Sequence, residues 1–207
     1  MGYVLQFFKS QLLVTPPYPT WDFSGQTVII TGSNTGLGLE AARHITRLKA
    51  AKVILAVRTV SKGEAAARSI LESTKATKDV IEVWPLDLSD YESIKAFGAR
   101  AQTLDRLDAV IQNAGILTDQ FRISQGNESH IDINVISAML VGLVVLPKLK
   151  ETSKKFGFRT RLAFVGSDLQ YVAKFKEANT SGSLLEALND KEKTDMGDRC
   201  VQLRTIR

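Results

Sequence analysis

The chain has 207 residues and a mass of 22.8 kDa, room for one large domain with a substantial core. Hydrophobic residues at 44% and charged residues at 24% lie in the ordinary globular range, which excludes disorder as the dominant state, and no run approaches the ~18 apolar residues of a membrane span. The single cysteine, Cys200, excludes an internal disulfide and fits a reducing compartment, so a cytoplasmic location is expected.

A net charge of +5 with a pI near 9.3 raises nucleic-acid binding as a function. The excess concentrates in Lys150, Lys154, Lys155, Arg159 and Arg161 against Glu151 alone. No aromatic platform for base stacking is interleaved there, so the stretch reads as a solvated connecting loop and no nucleic-acid partner is expected. At the N-terminus, Lys9 interrupts the apolar residues and no positive segment precedes them, unlike a signal peptide. Gln6 stands where a myristoylation site wants Ser or Thr. Pro16, Pro17 and Pro19 enforce extended chain, so residues 1–24 read as an arm resting on the domain, or loosely on a membrane or partner.

From Gln26 onward strands and helices alternate. Thr27-Val28-Ile29-Ile30 reads as a strand, and Gly36 to Leu48 carries apolar residues at helical spacing. Lys52 to Val57 is a second strand. A helix from Ser61 to about Ser73 follows, with Ser61 and Glu64 spaced as a capping box. Val80 to Trp84 is a third strand, and the helix Ser89 to Leu104 is expected to be capped by Ser89. Asp108 to Gln112 is a fourth strand, Glu128 to Leu149 a long helix with Pro147 as a bend or early stop, and Arg161 to Val165 a fifth strand. Strands that are apolar on both faces and alternate with helices predict an α/β fold, a Rossmann-type doubly wound parallel sheet.

The first turn, Thr31-Gly32-Ser33-Asn34-Thr35-Gly36-Leu37-Gly38, places glycines where a strand passes into a helix. There the backbone can approach a pyrophosphate held by the N–H groups at the positive helix end. Following a strand and opening an amphipathic helix, the pattern reads as a dinucleotide fingerprint, with Gly32, Ser33, Asn34, Gly36, Leu37 and Gly38 as cofactor-binding candidates. About twenty residues beyond Gly38, where an acid would hold the ribose hydroxyl of NAD, stands Arg58, with Lys62 one helical turn later. This favours NADP; a pair of solvated surface cations is the alternative.

These features resemble the short-chain dehydrogenase/reductase family from Phe23 to about Arg199. The family's Thr-Gly-x-x-x-Gly-x-Gly is present as Thr31, Gly32, Gly36 and Gly38, and its Asn-Ala-Gly as Asn113, Ala114 and Gly115. The resemblance implies an adenine contact from Asp87, cofactor contacts from Asn113, Ala114 and Gly115, a water-holding role in the proton relay for Asn134, and catalysis by Ser167. The bland alternatives are a turn-forming Asp87, an Asn134 bonded to the sheet and a strand-ending Ser167. Thr15-Pro16-Pro17-Tyr18-Pro19 and the segment Leu184 to Asp190 resemble fungal members, many of which serve secondary-metabolite pathways. The implied reaction is NADP(H)-dependent oxidoreduction of a small-molecule carbonyl or alcohol, with a homodimer left open.

The resemblance breaks at the catalytic pair. Where the family has Tyr-x-x-x-Lys, the chain reads Asp198-Arg199-Cys200 and then Arg204. A thiol is a poor substitute for a phenol, and a guanidinium for a compact ammonium. Tyr171 and Lys174 are three residues apart rather than four and are not expected to serve. Residues 25–199 are therefore read as the NADP-binding domain, incomplete after the fifth strand, and 200–207 as a tail outside the family frame. A non-catalytic NADP-binding protein or truncated relic is the alternative function.

Overall fold

The computed structural model describes residues 3–167 and 174–202. After a short helix α1 (Tyr3–Leu13), the chain builds β1 (Thr27–Thr31), α2 (Gly36–Arg47), β2 (Lys52–Val57), α3 (Val60–Thr74), β3 (Ile81–Pro85), α4 (Tyr91–Gln102) and β4 (Ala109–Gln112). A two-strand hairpin, β5 (Ile123–Ser124) and β6 (Asn127–Glu128), precedes a π-helical segment, Ile131–Ser137, that runs on as α5 (Ala138–Phe156). Then come β7 (Arg161–Phe164), α6 (Leu184–Leu188) and α7 (Met196–Gln202).

The main sheet has 5 strands in the order β3-β2-β1-β4-β7, all parallel. β1, β2 and β4 supply the inner strands because their side chains are apolar on both faces. Val28 and Ile30 pack with Val53, Leu55, Ala42 and Ile70 under α2 and α3. Ile29 and Val110 pack with Phe97, Val141, Val145 and Leu149 under α4 and α5. Each such aliphatic side chain taken from water contributes about 1.5–3 kcal/mol. Chain direction away from β1 reverses between the β2 and β4 sides, and that reversal opens the crevice at the C-terminal sheet edge.

Several expectations need correction. The capping box at Ser61 does not form: α3 starts at Val60 with Thr59 as its extended N-cap. α4 is capped by Asp90, whose carboxylate accepts from the Glu92 N–H, while Ser89 instead donates to Asp87. Pro147 does not stop α5. The residue whose carbonyl it leaves without a helical donor, Leu143, is 65% exposed, so water can satisfy that carbonyl, and the helix continues to a left-handed C-cap at Gly157. Consequently Lys150, Lys154 and Lys155 lie on the last turns of α5 rather than in a loop. Lys154 and Lys155, in the last turn, place their positive charges at the negative helix end.

The combined helix Ile131–Phe156 has 26 residues and includes an 18-residue window with a mean hydropathy of 1.8, enough by length and composition to cross a membrane. Its apolar stripe is nevertheless committed to the sheet through Val141, Val145 and Leu149. The proline-rich arm rests on α2. The Tyr18 ring meets His44 edge-on at 4.9 Å, and Arg47 lies over Tyr18 and donates to the Pro19 carbonyl at 2.7 Å.

Candidate functional site

The turn between β1 and α2 is held from across the crevice. The Thr31 hydroxyl accepts from the Asn113 and Ala114 N–H groups at 3.0 and 2.9 Å. The Asn113 side-chain amide donates to the carbonyls of Thr31 and Gly32 at 3.1 and 3.2 Å. This clamp leaves no room for side chains at two glycines. A Cβ on Gly32, whose φ is +64°, would lie 2.8 Å from Ala114 Cα, and one on Gly38 would lie 2.5 Å from Asn113 Nδ2. The two family motifs thus fit together as one unit.

Over this unit opens a cleft of about 400 Å³, lined by Gly32, Asn34, Leu37, Asn113, Ala114 and Gly115, with Asn134 and Gly166 on its far side. A smaller cleft of about 200 Å³ shares Gly32, Asn34, Ala114 and Gly115 and extends to Arg58 and Asp87. Thr35, the N-cap of α2, makes no side-chain capping bond, and no acidic residue stands in the first turn. The first N–H groups of α2 therefore remain available to an anion, and the helix dipole favours one there. These residues fit a dinucleotide: an open anion-binding helix end in the middle, with an arginine on one side and the Asn134 wall on the other.

Most sequence candidates gather here, with exceptions. Ser33 is fully buried and its hydroxyl donates to the Ile30 carbonyl at 2.9 Å, so its side chain serves the turn. Lys62 lies exposed in the first turn of α3 and lines neither cleft. The Asp87 carboxylate caps its own turn, accepting from the Ser89 N–H and hydroxyl at 2.9 and 2.7 Å, while the residue still borders the smaller cleft. Ser167 is half-buried and follows the cleft-lining Gly166. Tyr171 and Arg204 lie outside the described residues. α7 carries the chain through position 200, and Arg199 is fully buried, with Nη2 2.8 Å from Glu177.

Asn134 sits in the π-helical segment, whose wider turns are frequent at functional sites. The approach to that segment is fixed by Glu128, which accepts from the His130 N–H, the His130 ring Nδ1 and the Ser129 hydroxyl, each at 3.0 Å. Burial works to raise the Glu128 pKa, but the His130 and Ser129 hydrogen bonds win and hold it below the usual carboxylate range. Asp132, fully buried, accepts from the hydroxyls of Tyr91 and Ser124. Burial first, and then the bond to Asp132, push the Tyr91 phenol up to about 12. Sequence reasoning missed these partners, and it also missed Gln112, a polar residue on an inward strand position that lines the larger cleft.

Comparison with known proteins agrees with this architecture. A model of short chain dehydrogenases matches residues 26–169. The chain is 44% identical to a short chain dehydrogenase/reductase of Cryptosporiopsis sp. (strain 8999), over 89% of this chain and 58% of that protein. It is 42% identical to a short chain dehydrogenase of Emericella nidulans over 100% and 67%. The chain spans between 50% and 67% of the length of the first curated relatives it matches. Among solved structures, a protein of Mycobacterium paratuberculosis has a TM-score of 0.67 at 30% identity, covering 88% of this chain and 58% of its own. A structure described as a short chain dehydrogenase of Escherichia coli CFT073, complexed with NADPH, has a TM-score of 0.59 at 26% identity, covering 74% and 63%. Further neighbours of the same fold are complexed with NADP or with NAD. With its glycine turn, its Asn-Ala-Gly clamp and this match, the chain belongs to the short chain dehydrogenase family of oxidoreductases.

Proposed function

We propose that this chain binds NADP(H) and takes part in the reduction of a small-molecule carbonyl, or the reverse oxidation of an alcohol, in a fungal secondary-metabolite pathway. The observation that carries the cofactor reading is the continuity of the two clefts. They share Gly32, Asn34, Ala114 and Gly115, and only the adenine-side cleft has a cation, Arg58, on its wall. A guanidinium there recognises the 2′-phosphate that distinguishes NADP from NAD. Gly36, Leu37 and Gly38 open α2 beneath the pyrophosphate, Asp87 borders the adenine, and Asn113, Ala114 and Gly115 support the other half.

The bound nicotinamide supplies or accepts the hydride. On the substrate side, Ser167 would hydrogen-bond the carbonyl oxygen and Asn134 would hold the neighbouring wall through Ile116; with Cys200 and Arg204 where the family has Tyr and Lys, the alkoxide formed by hydride addition would take its proton from solvent water. A cytoplasmic location belongs to the same reading. The test is turnover: the chain is incubated with NADPH and a panel of aliphatic and aromatic ketones, and loss of the reduced cofactor is followed. Reduction that disappears in Ser167→Ala supports this function. NADPH binding with no turnover on any ketone contradicts the catalytic part and leaves a dinucleotide-binding protein.

A further inference from the structure

We propose that α1 docks this chain in the plane of an anionic phospholipid bilayer, with the basic edge of the sheet, opposite the dinucleotide cleft, turned to the lipid headgroups. Every residue from Phe7 to Asp22 is exposed, although α1 is rich in large apolar side chains: Leu5, Phe8 and Leu12 are 59%, 54% and 76% exposed. These three stand at i, i+3 and i+7, which stacks them along one side of the helix. Ser10 falls on the opposite side and Lys9 at the margin of the stripe, where its stem can lie on the apolar surface with the ammonium among headgroups. The 11 residues of α1 rise only about 16 Å against a hydrocarbon core of about 30 Å, and Pro16 and Pro17 prevent its continuation. α1 thus has the pattern of a helix that lies on a bilayer and the length of one that does not cross it.

The segment that joins α1 to the domain carries a second signal. Trp21 is 71% and Tyr18 65% exposed, and such rings gather where hydrocarbon meets headgroups. The segment is fastened where α2 ends: Arg47 lies 4.3 Å from the centre of the Tyr18 ring, and the Phe23 N–H donates to the Leu48 carbonyl at 2.9 Å.

Charge indicates what covers this apolar surface. Helices that return antiparallel to a parallel sheet end at the edge where the strands begin. Lys49 follows α2, Lys75 and Lys78 follow α3, Lys154 and Lys155 end α5, and Arg159 precedes β7, all of them exposed. The exposed acids at that edge are Asp22, Glu72, Asp79 and Asp105, while Asp108 is buried and held by Arg106, so positive charge is in excess. Arg106 also brings the root of the arm beside the basic end of α5. It lies 4.5 Å from the centre of the Phe156 ring, and its Nη1 is 3.9 Å from where a Cβ on Gly25 would sit. A second copy of this chain would set the same positive excess against itself, whereas an anionic lipid surface draws on every one of these cations. Seated in this way, the chain keeps the cleft at the C-terminal sheet edge open to water.

Vesicle flotation tests the proposal, using the full chain with phosphatidylcholine vesicles and with mixed phosphatidylcholine and phosphatidylserine vesicles. Wild type is expected to float with the mixed vesicles, far less with phosphatidylcholine alone, and less again as salt rises. Combining Leu5→Gln, Phe8→Gln and Leu12→Gln is expected to lower the partition coefficient roughly a hundredfold. Combining Lys49→Gln, Lys154→Gln and Lys155→Gln lowers it roughly tenfold or more on the mixed vesicles only. All six side chains are exposed, so both variants keep the wild-type thermal transition. In wild type the emission of Trp21 shifts to the blue on the mixed vesicles, Trp84 being already buried, a readout that needs no variant. Wild type that does not float, equal binding to both vesicles, flotation indifferent to the three glutamines in α1, or an unshifted emission overturns the proposal. Sedimentation as a dimer that those glutamines dissolve assigns α1 to a second copy and overturns it too.

Discussion

The side chain of Asn134 grips the backbone of Ile116 at both ends, accepting from its N–H at 2.8 Å and donating to its carbonyl at 2.9 Å. An extended segment after β4 is thereby treated as though it had a neighbouring strand, and Gly115 is pressed so close that a Cβ there would lie 2.9 Å from Asn134 Oδ1. These contacts tie the helix wall to the Asn-Ala-Gly loop, so their loss reaches the larger cleft that both line.

Replacing Asn134 by alanine leaves both backbone groups of Ile116 without partners and is predicted to lower stability by about 1–3 kcal/mol. Asn134→Asp keeps the acceptor and loses less. Urea unfolding of the two variants checks the order, and equal stability of wild type and Asn134→Ala contradicts it.

At the glycine turn, Gly38→Ala drives a methyl group into Asn113 Nδ2 and into the Gly32 carbonyl, 2.7 Å away. The expected cost is about 1–3 kcal/mol from overpacking, together with loss of NADPH binding as the clamp opens. Gly182→Ala, where a Cβ meets nothing within 4 Å, serves as the control and leaves binding intact. NADPH titration followed by fluorescence separates the two.

Arg58→Ala is predicted to weaken NADPH binding by about tenfold or more, as expected for loss of a charge-assisted bond worth about 1.5–3 kcal/mol, and to leave NADH binding nearly unchanged. Isothermal titration with both cofactors gives the ratio directly. A parallel loss for both would assign Arg58 a structural role.

The Glu128 carboxylate and the Tyr91 phenol predict opposite pH limbs. Glu128 is held below its ordinary pKa of 4.5 in the fold, so its contribution is present above that value and is lost as pH falls through the depressed folded one. Glu128→Gln therefore flattens the acid limb of stability. Tyr91 is raised from 10.0 to about 12, so its contribution is present below pH 10 and is lost as pH rises towards 12. Tyr91→Phe is expected to cost about 1.5–3 kcal/mol at neutral pH, since it removes a hydrogen bond to a charged group, with the gap to wild type narrowing above pH 10. Chemical unfolding across pH would show either limb; a gap that stays constant through both windows contradicts the assignment.

The sheet was legible from the sequence because each inner strand is a short apolar run with a helix pattern after it. Val28 to Ile30 and Val53 to Val57 bury both faces, and few other structures do that with so few residues. The glycine turn and Asn113-Ala114-Gly115 were legible because backbone geometry demands those residue types. Helix ends were less so: Ser61 and Ser89 have the right chemistry for caps, but Thr59 and Asp90 take those places once tertiary packing sets the entry angle. The polar partners behind the cleft were not legible at all. Tyr91 meets Asp132 across 41 residues and Thr31 meets Gln112 across 81, and no local pattern encodes such pairs.

The central claim is that the crevice between β1 and β4 holds a dinucleotide with Arg58 at its phosphate-bearing adenosine end. The most direct measurement is calorimetric titration of the wild-type chain with NADPH and, separately, NADH under identical salt. The account predicts saturable one-to-one binding of both, with NADPH tighter by about tenfold. Equal affinities, tighter NADH, or no binding of either would contradict it.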